Sequence, residues 1–224
     1  MLFSFSGLDG AGKSTLIEIF SNYLLENNKR FKILTMYDDV GLYAFMRKIR
    51  DGLNNDSFDI SKNKIKFGNN PEDIFKAENN GFIKRIILKF FRHYWFRKII
   101  LVLDICIMYL FRFYYETIQG NILIMDRYFY DSLVDILIKK RSDIYANFII
   151  KIIPHPTLPI FIDVPPEIAF GRKGEFTKEY LHDRYKYYQR IFNKECKTIK
   201  LDNIDYISGK KEFYDKVIKS SFSY

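Results

Sequence analysis

Residues 7–15 read Gly-Leu-Asp-Gly-Ala-Gly-Lys-Ser-Thr, and this stretch decides the fold that the sequence predicts. Its spacing matches the Walker A pattern, Gly-x-x-x-x-Gly-Lys-Ser/Thr, in which glycines let the backbone fold so that several N–H groups point at phosphate oxygens. A short apolar run precedes it at 2–6, and apolar residues at helical spacing follow it over 15–25. A strand, a glycine loop and a helix in this order predict the first unit of a parallel sheet.

Each residue type in this glycine loop has a chemical reason for its position. Lys13 is expected to reach the β- and γ-phosphates of a nucleotide as a point charge, and the Ser14 hydroxyl is expected to ligate Mg²⁺. The helix that follows adds the positive end of its dipole. The residues predicted to bind ATP are Gly7, Gly10, Ala11, Gly12, Lys13, Ser14 and Thr15. The loop predicts bound nucleotide phosphates but leaves the reaction open, because kinases and GTPases share it.

The rest of the chain continues the alternation of strands and helices. Short apolar runs that predict four more strands lie at 31–36, 121–125, 158–164 and 198–201. Helical patterns lie at 167–170, 178–192 and 211–222. This order predicts the α/β class, as a three-layer α/β/α fold with a five-stranded, mostly parallel sheet.

The sequence shows no internal repeat and no domain boundary, so we predict a single domain over 1–224. Residues 51–81 are rich in Asn, Asp, Ser, Lys and Gly, which predicts a loop-rich insertion. Between Gly81 and Gly120 the chain contains neither Gly nor Pro, and this stretch is predicted to be helical.

Composition and charge narrow the class of protein. The chain has 224 residues, 48% of them hydrophobic, and a formal net charge of +9, so it can form a large core and it favours anionic partners. The two cysteines, Cys106 and Cys196, lack the spacing of a metal site or of a disulfide framework. No signal peptide is visible, and no apolar run is long enough to span a bilayer. We therefore expect a soluble, cytoplasmic protein.

A second site is indicated where the third predicted strand ends. The stretch from Asn121 reads Asn-Ile-Leu-Ile-Met-Asp-Arg-Tyr-Phe-Tyr-Asp-Ser, so an apolar strand delivers Asp126 and Arg127 to its carboxyl end. Ligands of open parallel sheets bind at that edge. Asp126 is expected to hold Mg²⁺, directly or through water, and Arg127 offers a bidentate fork for a phosphate. A structural salt bridge between the two residues is the alternative.

Three motifs together give the chain a specific resemblance to a known family. The glycine loop is followed by Asp126-Arg127-Tyr128, with Asp131-Ser132 shortly after, and then by Ile162-Asp-Val-Pro-Pro-Glu167. In this order, and over most of the chain, the motifs resemble those of the thymidylate kinase family. The resemblance implies a P-loop kinase fold, MgATP as the phosphoryl donor and a nucleoside monophosphate as the acceptor.

The same resemblance implies roles for individual residues. Asp9 would contact the sugar of the acceptor nucleotide, and Arg127 would face its phosphate beside the metal. Arg50 would be a retained phosphate contact, with plain solvent exposure as the alternative. The residues implied to bind the acceptor are Asp9, Arg50, Asp126, Arg127 and Tyr128.

A short lid near 171–178 is also implied by the resemblance. Its cations, Arg172 and Lys173, would close over the phosphates during transfer, and solvated charges on a helix are the alternative interpretation. Some family members carry an arginine at position 10, where this chain has Gly10, so the two lid cations gain importance. The catalytic residues implied are Lys13, Arg127, Arg172 and Lys173.

The acceptor side departs from the family pattern. The family is expected to place an aromatic residue and, four positions later, an arginine on the helix before the Asp-Arg-Tyr strand. The corresponding positions here are Leu101 and Ile105, and Arg97 or Arg112 replaces the arginine only if the helix register is shifted. The arginine that usually follows the second strand is absent from Tyr37-Asp38-Asp39.

Residues 82–98 contain no acidic residue and combine basic residues with apolar ones at helical spacing. Three interpretations of this basic amphipathic helix stay open. It packs on the domain with a solvated cationic face, it forms a homodimer interface or a wall of the acceptor site, or it makes peripheral contact with an anionic membrane. Nucleic acid is not an expected partner, because no recognised binding module accompanies the charge.

The motifs together predict an ATP-dependent phosphotransferase of the nucleoside monophosphate kinase type. The reaction expected first is dTMP + ATP → dTDP + ADP. Leu101 and Ile105 favour an alternative, a kinase of the same superfamily that acts on a nucleoside, a sugar or a membrane-associated acceptor. A non-catalytic nucleotide-binding regulatory module is the alternative of another class. A GTPase is not expected, because the chain lacks the Asn-Lys-x-Asp run that reads guanine.

Overall fold

A computed structural model of the chain describes residues 1–36, 41, 94–140, 143–194 and 197–222. The predictions for Arg50, for the insertion at 51–81 and for residues 82–93 lie outside the described residues. The chain divides into two compact units, residues 1–36 with 109–224 and residues 37–108. The first of these, here called the sheet unit, carries the glycine loop and the second predicted site.

Five parallel strands form the sheet of this unit. They are β1 Leu2–Gly7, β2 Phe31–Thr35, β3 Ile122–Asp126, β4 Leu158–Asp163 and β5 Ile199–Asp202. Their spatial order is β2-β3-β1-β4-β5, and every adjacent pair runs parallel. The predicted five-stranded α/β sheet is therefore confirmed, and each of the predicted strands exists within one or two residues of its expected bounds.

Helices connect the strands, and two of them were not predicted. In chain order they are α1 Lys13–Glu26, α2 Tyr94–Arg112, α3 Phe129–Lys140, α4 Asp143–Ile152, α5 Pro166–Lys173, α6 Lys178–Phe192, α7 Tyr206–Phe213 and α8 Ser220–Phe222. π-Helical segments at Phe113–Ile118 and Tyr214–Lys219 follow α2 and α7. The sequence patterns do not predict α3 and α4, and the closing helix predicted over 211–222 begins earlier and is divided.

β1 lies at the centre of the sheet, and all six of its residues are buried. Successive side chains of a strand point to opposite faces. On one face Phe3 and Phe5 lie 4.9 and 6.3 Å from the ring of Phe20 in α1, and Phe213 of α7 joins them. On the other face β1 carries small hydroxyl side chains, Ser4 and Ser6, which leave room for α3.

The third layer packs on the opposite face of the sheet through α6. Phe161 of β4 stacks on Tyr188 and Phe192 of α6, with ring centroids 5.7 and 4.8 Å apart. Tyr130 of α3 lies 4.9 Å from Phe192. Helices therefore cover both faces of the sheet, as a three-layer α/β/α fold requires.

α2 carries the two positions at which the family pattern fails. Leu101 and Ile105 are both buried, whereas Ile99 and Leu103 on the same helix are exposed. Within the part of the chain that the structure describes, no helix has the length and apolar character needed to cross a bilayer.

Replacing Phe20 by Ala is expected to lower the free energy of unfolding by about 3–5 kcal/mol, because it leaves a cavity between β1, α1 and α7. Urea denaturation followed by circular dichroism measures the change. Leu25→Ala is the matched control on the same helix, since Leu25 is 62% exposed and its truncation should change stability by less than about 0.5 kcal/mol. Equal losses in the two variants would contradict this description of the core.

Candidate functional site

The carboxyl ends of all five strands meet at one edge of the sheet because the strands are parallel. β1 and β3 are neighbours with Phe5 opposite Asp126, so the glycine loop and Arg127 leave the sheet side by side. β4 lies on the other side of β1, with Ile162 opposite Gly7. The two predicted phosphate-related motifs are thus brought together by adjacent strands.

The glycine loop needs its glycines for conformation and for packing. Gly10 and Gly12 have φ angles of 90° and 94°, in the left-handed region that favours glycine. A Cβ atom at Gly10 would collide with the carbonyl oxygen of Ala169, and one at Gly12 with the side-chain amide of Asn203. The loop is therefore held closely against α5 and against the residue that follows β5.

The first turn of α1 presents backbone donors at the end of this loop. Gly12 is the N-cap and offers no side-chain acceptor, and the first turn contains no acidic residue. The N–H groups that open a helix have no partner within it, and the helix dipole favours negative charge there. Ser14, in this turn, is exposed. The N–H groups at this end of α1 can therefore bind an anion. The exposed hydroxyl of Ser14 can serve as a metal ligand.

Lys13 is the buried cation of the loop. Its Nζ donates hydrogen bonds to the carbonyl oxygens of Gly7, at 2.9 Å, and Leu8, at 2.8 Å. Burial, together with the neighbouring cation Arg127, lowers the pKa of Lys13 to about 8, although Asp9 and two further carboxylates act in the opposite direction. Two carbonyl groups of the loop thus hold the ammonium group in position. The ammonium group and the loop would bind phosphates together.

Arg127 is the second buried cation, and it lies in an uncommon backbone conformation. Its φ angle is 69°, and its N–H donates to the carbonyl oxygen of Phe5 at 3.0 Å, which holds it against β1. The guanidinium group pairs with the carboxylate of Asp9, and its Nη1 lies 3.9 Å from Oδ1 of Asp131. Burial opposes its charge, but Asp9 and Asp131 outweigh burial and raise the pKa of Arg127.

Two carboxylates beside these cations have pKa values that are shifted in opposite directions. Burial alone would raise the pKa of Asp9, but Arg127 and Lys13 outweigh it and lower that pKa. Burial raises the pKa of Asp126, and the nearby carboxylates Asp131 and Asp9 add to it against the effect of the two cations. The cations therefore stabilise the charged form of Asp9. The surroundings of Asp126 disfavour its charged form, and a bound cation would stabilise it.

Asp131 is the fully buried carboxylate behind Arg127. Its Oδ2 accepts hydrogen bonds from Ser6 Oγ at 2.7 Å and from the N–H of Tyr128 at 3.0 Å. The second contact is the one that an acidic residue makes at the third position of a helix with its N-cap. Its Oδ1 accepts a hydrogen bond from the hydroxyl of Tyr188 at 2.6 Å. Strand β1, the start of α3 and α6 are thus joined at one carboxylate.

A further buried ion pair in this cluster joins α6 to α3. Arg184 Nη1 donates to Asp135 Oδ1 at 2.5 Å and to the hydroxyl of Tyr180 at 2.8 Å. Its Nη2 donates to the hydroxyl of Tyr188 at 3.1 Å. A continuous chain of charged and polar groups therefore runs from the glycine loop to α6. Its members, here called the ionic chain, are Asp9, Arg127, Asp131, Tyr188, Arg184 and Asp135.

The predicted lid is the short connection between α5 and α6. Gly174 ends α5 in the left-handed conformation, and Thr177 caps α6 by accepting a hydrogen bond from the N–H of Tyr180. Arg172 Nη2 donates to the carbonyl oxygens of Asn203 and Ile204 at 2.8 and 2.7 Å, and its Nη1 lies 3.4 Å from the carbonyl oxygen of Gly10. Arg172 therefore ties the glycine loop to the segment after β5.

Three other predicted residues have different surroundings. Lys173 is paired with Glu175 at 3.1 Å on the surface. The side chain of Tyr128 is fully buried, and its hydroxyl donates to the carbonyl oxygen of Pro154, so it packs in the core behind the edge of the sheet. Arg112 is engaged with Glu116 and with the carbonyl oxygen of His155. The side chain of Arg97 lies outside the described residues.

Sequence reasoning missed several residues of the site. Asn203 donates to the carbonyl oxygen of Ala11 at 2.7 Å and contacts Gly12, so it supports the glycine loop from behind. Its position just after the last predicted strand was the available signal. Asp131 stands in a motif that carries the resemblance but received no role there, and its spacing of three from Tyr128, a helix-capping spacing, was the signal for one. Arg184 and Tyr188 lie four residues apart in a charged helix, and nothing in that pattern indicates burial.

A cavity of about 800 Å³ lies at the opposite, amino end of the sheet. It is lined by the first residues of β1, β4 and β5 and by Lys216 and Ser220. The residues of the glycine loop and the ionic chain do not line it, so it is separate from the candidate site.

Comparison with known proteins adds no assignment to this geometry. No known protein-family profile matches the chain, and no curated protein matches it in sequence. The protein is an α/β protein built on a five-stranded parallel sheet, with a glycine loop and a chain of buried ionic groups at the carboxyl edge of that sheet.

The ammonium group of Lys13 is expected to titrate near pH 8, below the usual 10.5. Because the folded protein releases this proton before the unfolded chain does, the contribution of Lys13 to the free energy of unfolding should rise with pH between about 8 and 10.5. The ¹³Cε signal of Lys13, assigned by its absence in Lys13→Ala, measures the pKa. Arg127→Met should raise this pKa and Asp9→Asn should lower it, and a midpoint near 10.5 in the unmodified protein would contradict the described surroundings.

Proposed function

We propose that the protein is an ATP-dependent phosphotransferase that resembles thymidylate kinase. It transfers the γ-phosphoryl group of MgATP to a nucleoside monophosphate, and dTMP is the first acceptor to test. The proposal combines the order of the sequence motifs with the arrangement of their residues at the carboxyl edge of the sheet.

One observation carries the proposal: Asp9 of the donor motif pairs with Arg127 of the acceptor motif. The two residues are 118 positions apart in the chain and both are buried. Lys13 lies close enough to both that Arg127 lowers its pKa and Asp9 raises it. One cation from each motif thus lies near Asp9, and a reaction between two phosphate-bearing substrates needs cations from both sites in one place.

The described residues fit MgATP on structural grounds. The glycine loop adopts left-handed φ angles at Gly10 and Gly12, and it leads into α1, which begins without a side-chain cap and so offers its first N–H groups to a phosphate. Asp126 has a raised pKa because of burial and neighbouring carboxylates, and a divalent cation would stabilise its charged form. Among the described residues there is no group of three or more His, Cys, Asp or Glu that could hold a metal. Ser14 and Asp126 would share Mg²⁺ with nucleotide phosphates, as is usual for this ion.

Each residue then has a defined task. When bound, MgATP supplies the phosphoryl group. Lys13 and the backbone donors of the glycine loop bind its phosphates, and Arg127 binds the acceptor phosphate while Asp9 restricts the orientation of the guanidinium group. Electrostatic stabilisation and alignment of this kind supply most of the catalysis in phosphoryl transfer.

A second candidate is a kinase of the same superfamily with a different acceptor. The observation in its favour is that Leu101 and Ile105 are apolar and buried, where the family pattern has an aromatic residue and an arginine. A nucleoside, a sugar or a membrane-associated acceptor would then replace dTMP.

The purified protein is expected to form ADP from ATP and Mg²⁺ when a nucleoside monophosphate is added. A coupled assay with a panel of nucleoside monophosphates, nucleosides and sugars measures this reaction and identifies the acceptor. Lys13→Ala should reduce the rate by at least about a hundredfold, because it removes a charge aimed at the transferred phosphoryl group.

The outcomes of this assay separate the candidates. Activity with a nucleoside or a sugar alone would replace the first candidate by the second. If ATP binds and no acceptor in the panel is consumed at millimolar concentration, phosphotransfer is contradicted and a nucleotide-binding regulatory module is favoured.

Arg172→Ala and Lys173→Ala are expected to have different effects on the reaction. Arg172→Ala should weaken ATP binding by about tenfold, because it removes the tie between the glycine loop and the segment after β5. Lys173→Ala should lower kcat with little change in the Kd for ATP, since its surface pairing with Glu175 is weak and leaves the cation available. Isothermal titration with ATP and steady-state kinetics distinguish the two variants. An unchanged Kd for ATP in Arg172→Ala would contradict a role of Arg172 in holding the glycine loop for ATP binding.

A further inference from the structure

We propose that Tyr188 is a positioning residue, which α6 supplies to fix Asp131 and thereby to direct Arg127 towards the acceptor phosphate. The inference rests on the proposed function for the role of Arg127. The effect of Tyr188 on the position of Arg127 can be tested by a measurement that does not depend on enzymatic activity.

The hydroxyl of Tyr188 has a defined direction. It accepts a hydrogen bond from Arg184 Nη2 at 3.1 Å and donates one to Asp131 Oδ1 at 2.6 Å. Arg184 is itself fixed by Asp135 and by the hydroxyl of Tyr180. A cation carries only donors, so the proton of the Tyr188 hydroxyl has to point at Asp131. Burial, with Asp131 acting in the same direction against Arg184, raises the pKa of Tyr188 well above its usual value, and the hydroxyl keeps this proton.

The oxygen that receives this hydrogen bond is the one that faces Arg127. Arg127 Nη1 lies 3.9 Å from Asp131 Oδ1, beyond hydrogen-bond distance, whereas its Nη2 pairs directly with Asp9. Tyr188 donates a hydrogen bond to Oδ1, so this oxygen does not need Arg127 as a donor. Arg127 therefore keeps its closer pairing with Asp9. Without the hydroxyl, Oδ1 would be a buried charged acceptor that lacks this donor, and it would draw Nη1 into a direct hydrogen bond.

The position of Tyr188 gives this contact a link to the lid. Tyr188 and Arg184 belong to α6, which begins at Lys178 directly after the turn that follows α5. Asp9 belongs to the glycine loop, at the other end of the ionic chain. A displacement of α6 therefore changes the hydrogen bond to Asp131 and, through it, the balance of Arg127 between its two carboxylates.

Tyr188→Phe tests the inference, because it keeps the ring that stacks on Phe161 and removes only the hydroxyl. Tyr187→Phe is the control on the same helix. Ser6→Ala is a second control, because it removes a hydrogen bond of similar length from Oδ2 of Asp131, whereas Oδ1 is the oxygen 3.9 Å from Arg127.

The first measurement is the ¹⁵N NMR spectrum of the Arg127 guanidinium group, assigned by its absence in Arg127→Lys. We expect Tyr188→Phe to shift its Nη signals, Ser6→Ala to shift them less, and Tyr187→Phe to leave them in place. Unchanged signals in Tyr188→Phe, or equal shifts in Tyr188→Phe and Ser6→Ala, would overturn the inference whether or not the protein is a kinase.

The second measurement is kinetic and uses the acceptor found in the panel. Tyr188→Phe should raise the KM for the acceptor or lower kcat by about tenfold or more, while the Kd for ATP changes by less than about twofold and the melting temperature by a few degrees. Parallel losses of acceptor binding, ATP binding and stability would show a merely structural role and overturn the inference. Absence of activity in the unmodified protein would instead contradict the proposed function, and the NMR measurement would still decide the position of Arg127.

Discussion

The buried carboxylate of Asp131 is the constraint on which the rest of this site depends. A charged group removed from water destabilises the fold unless donors surround it, and the chain supplies them from β1, from the start of α3 and from α6. Each donor comes from a different element, so satisfying one carboxylate sets the position of all three. Ser6 is small enough to let α3 approach the central strand, and Arg127 lies between the end of β3 and the start of α3.

The ionic chain alternates in charge from the glycine loop to α6, and this alternation explains why so many charged groups can be buried together. Asp9 and Asp131 flank Arg127, and Arg184 pairs with Asp135. Removing Asp135 would leave the buried charge of Arg184 without its carboxylate partner, which costs more than the pair contributes. Burial, together with Arg127, lowers the pKa of Lys13. Burial, together with Asp131 and Asp9, raises the pKa of Asp126.

Residues from distant parts of the chain hold the glycine loop in place. Asn203 and Arg172 bind its carbonyl oxygens, and Ala169 leaves no space for a side chain at Gly10. The sequence could identify the loop, because Walker A spacing is local and each glycine has a conformational reason. It could not identify the support, since Asn203 is separated from Ala11 by 192 residues. The resemblance placed Arg172 over phosphates, whereas its guanidinium group binds backbone carbonyls in the structure.

Local sequence patterns by themselves determined the class of fold, the strands and the glycine loop. Buried parallel strands and amphipathic helices leave patterns within a few residues, and a glycine loop between them is equally local. Only the tertiary structure decided that all five strands are parallel in the order β2-β3-β1-β4-β5, and that Asp9 meets Arg127. It also decided that the aromatic ring of Tyr128 packs in the core, while the hydroxyl of Tyr188 reaches Asp131. The physical reason is that a carboxylate or a cation has no preference for one distant partner until folding excludes water around it, so burial and pairing are properties of the assembled fold.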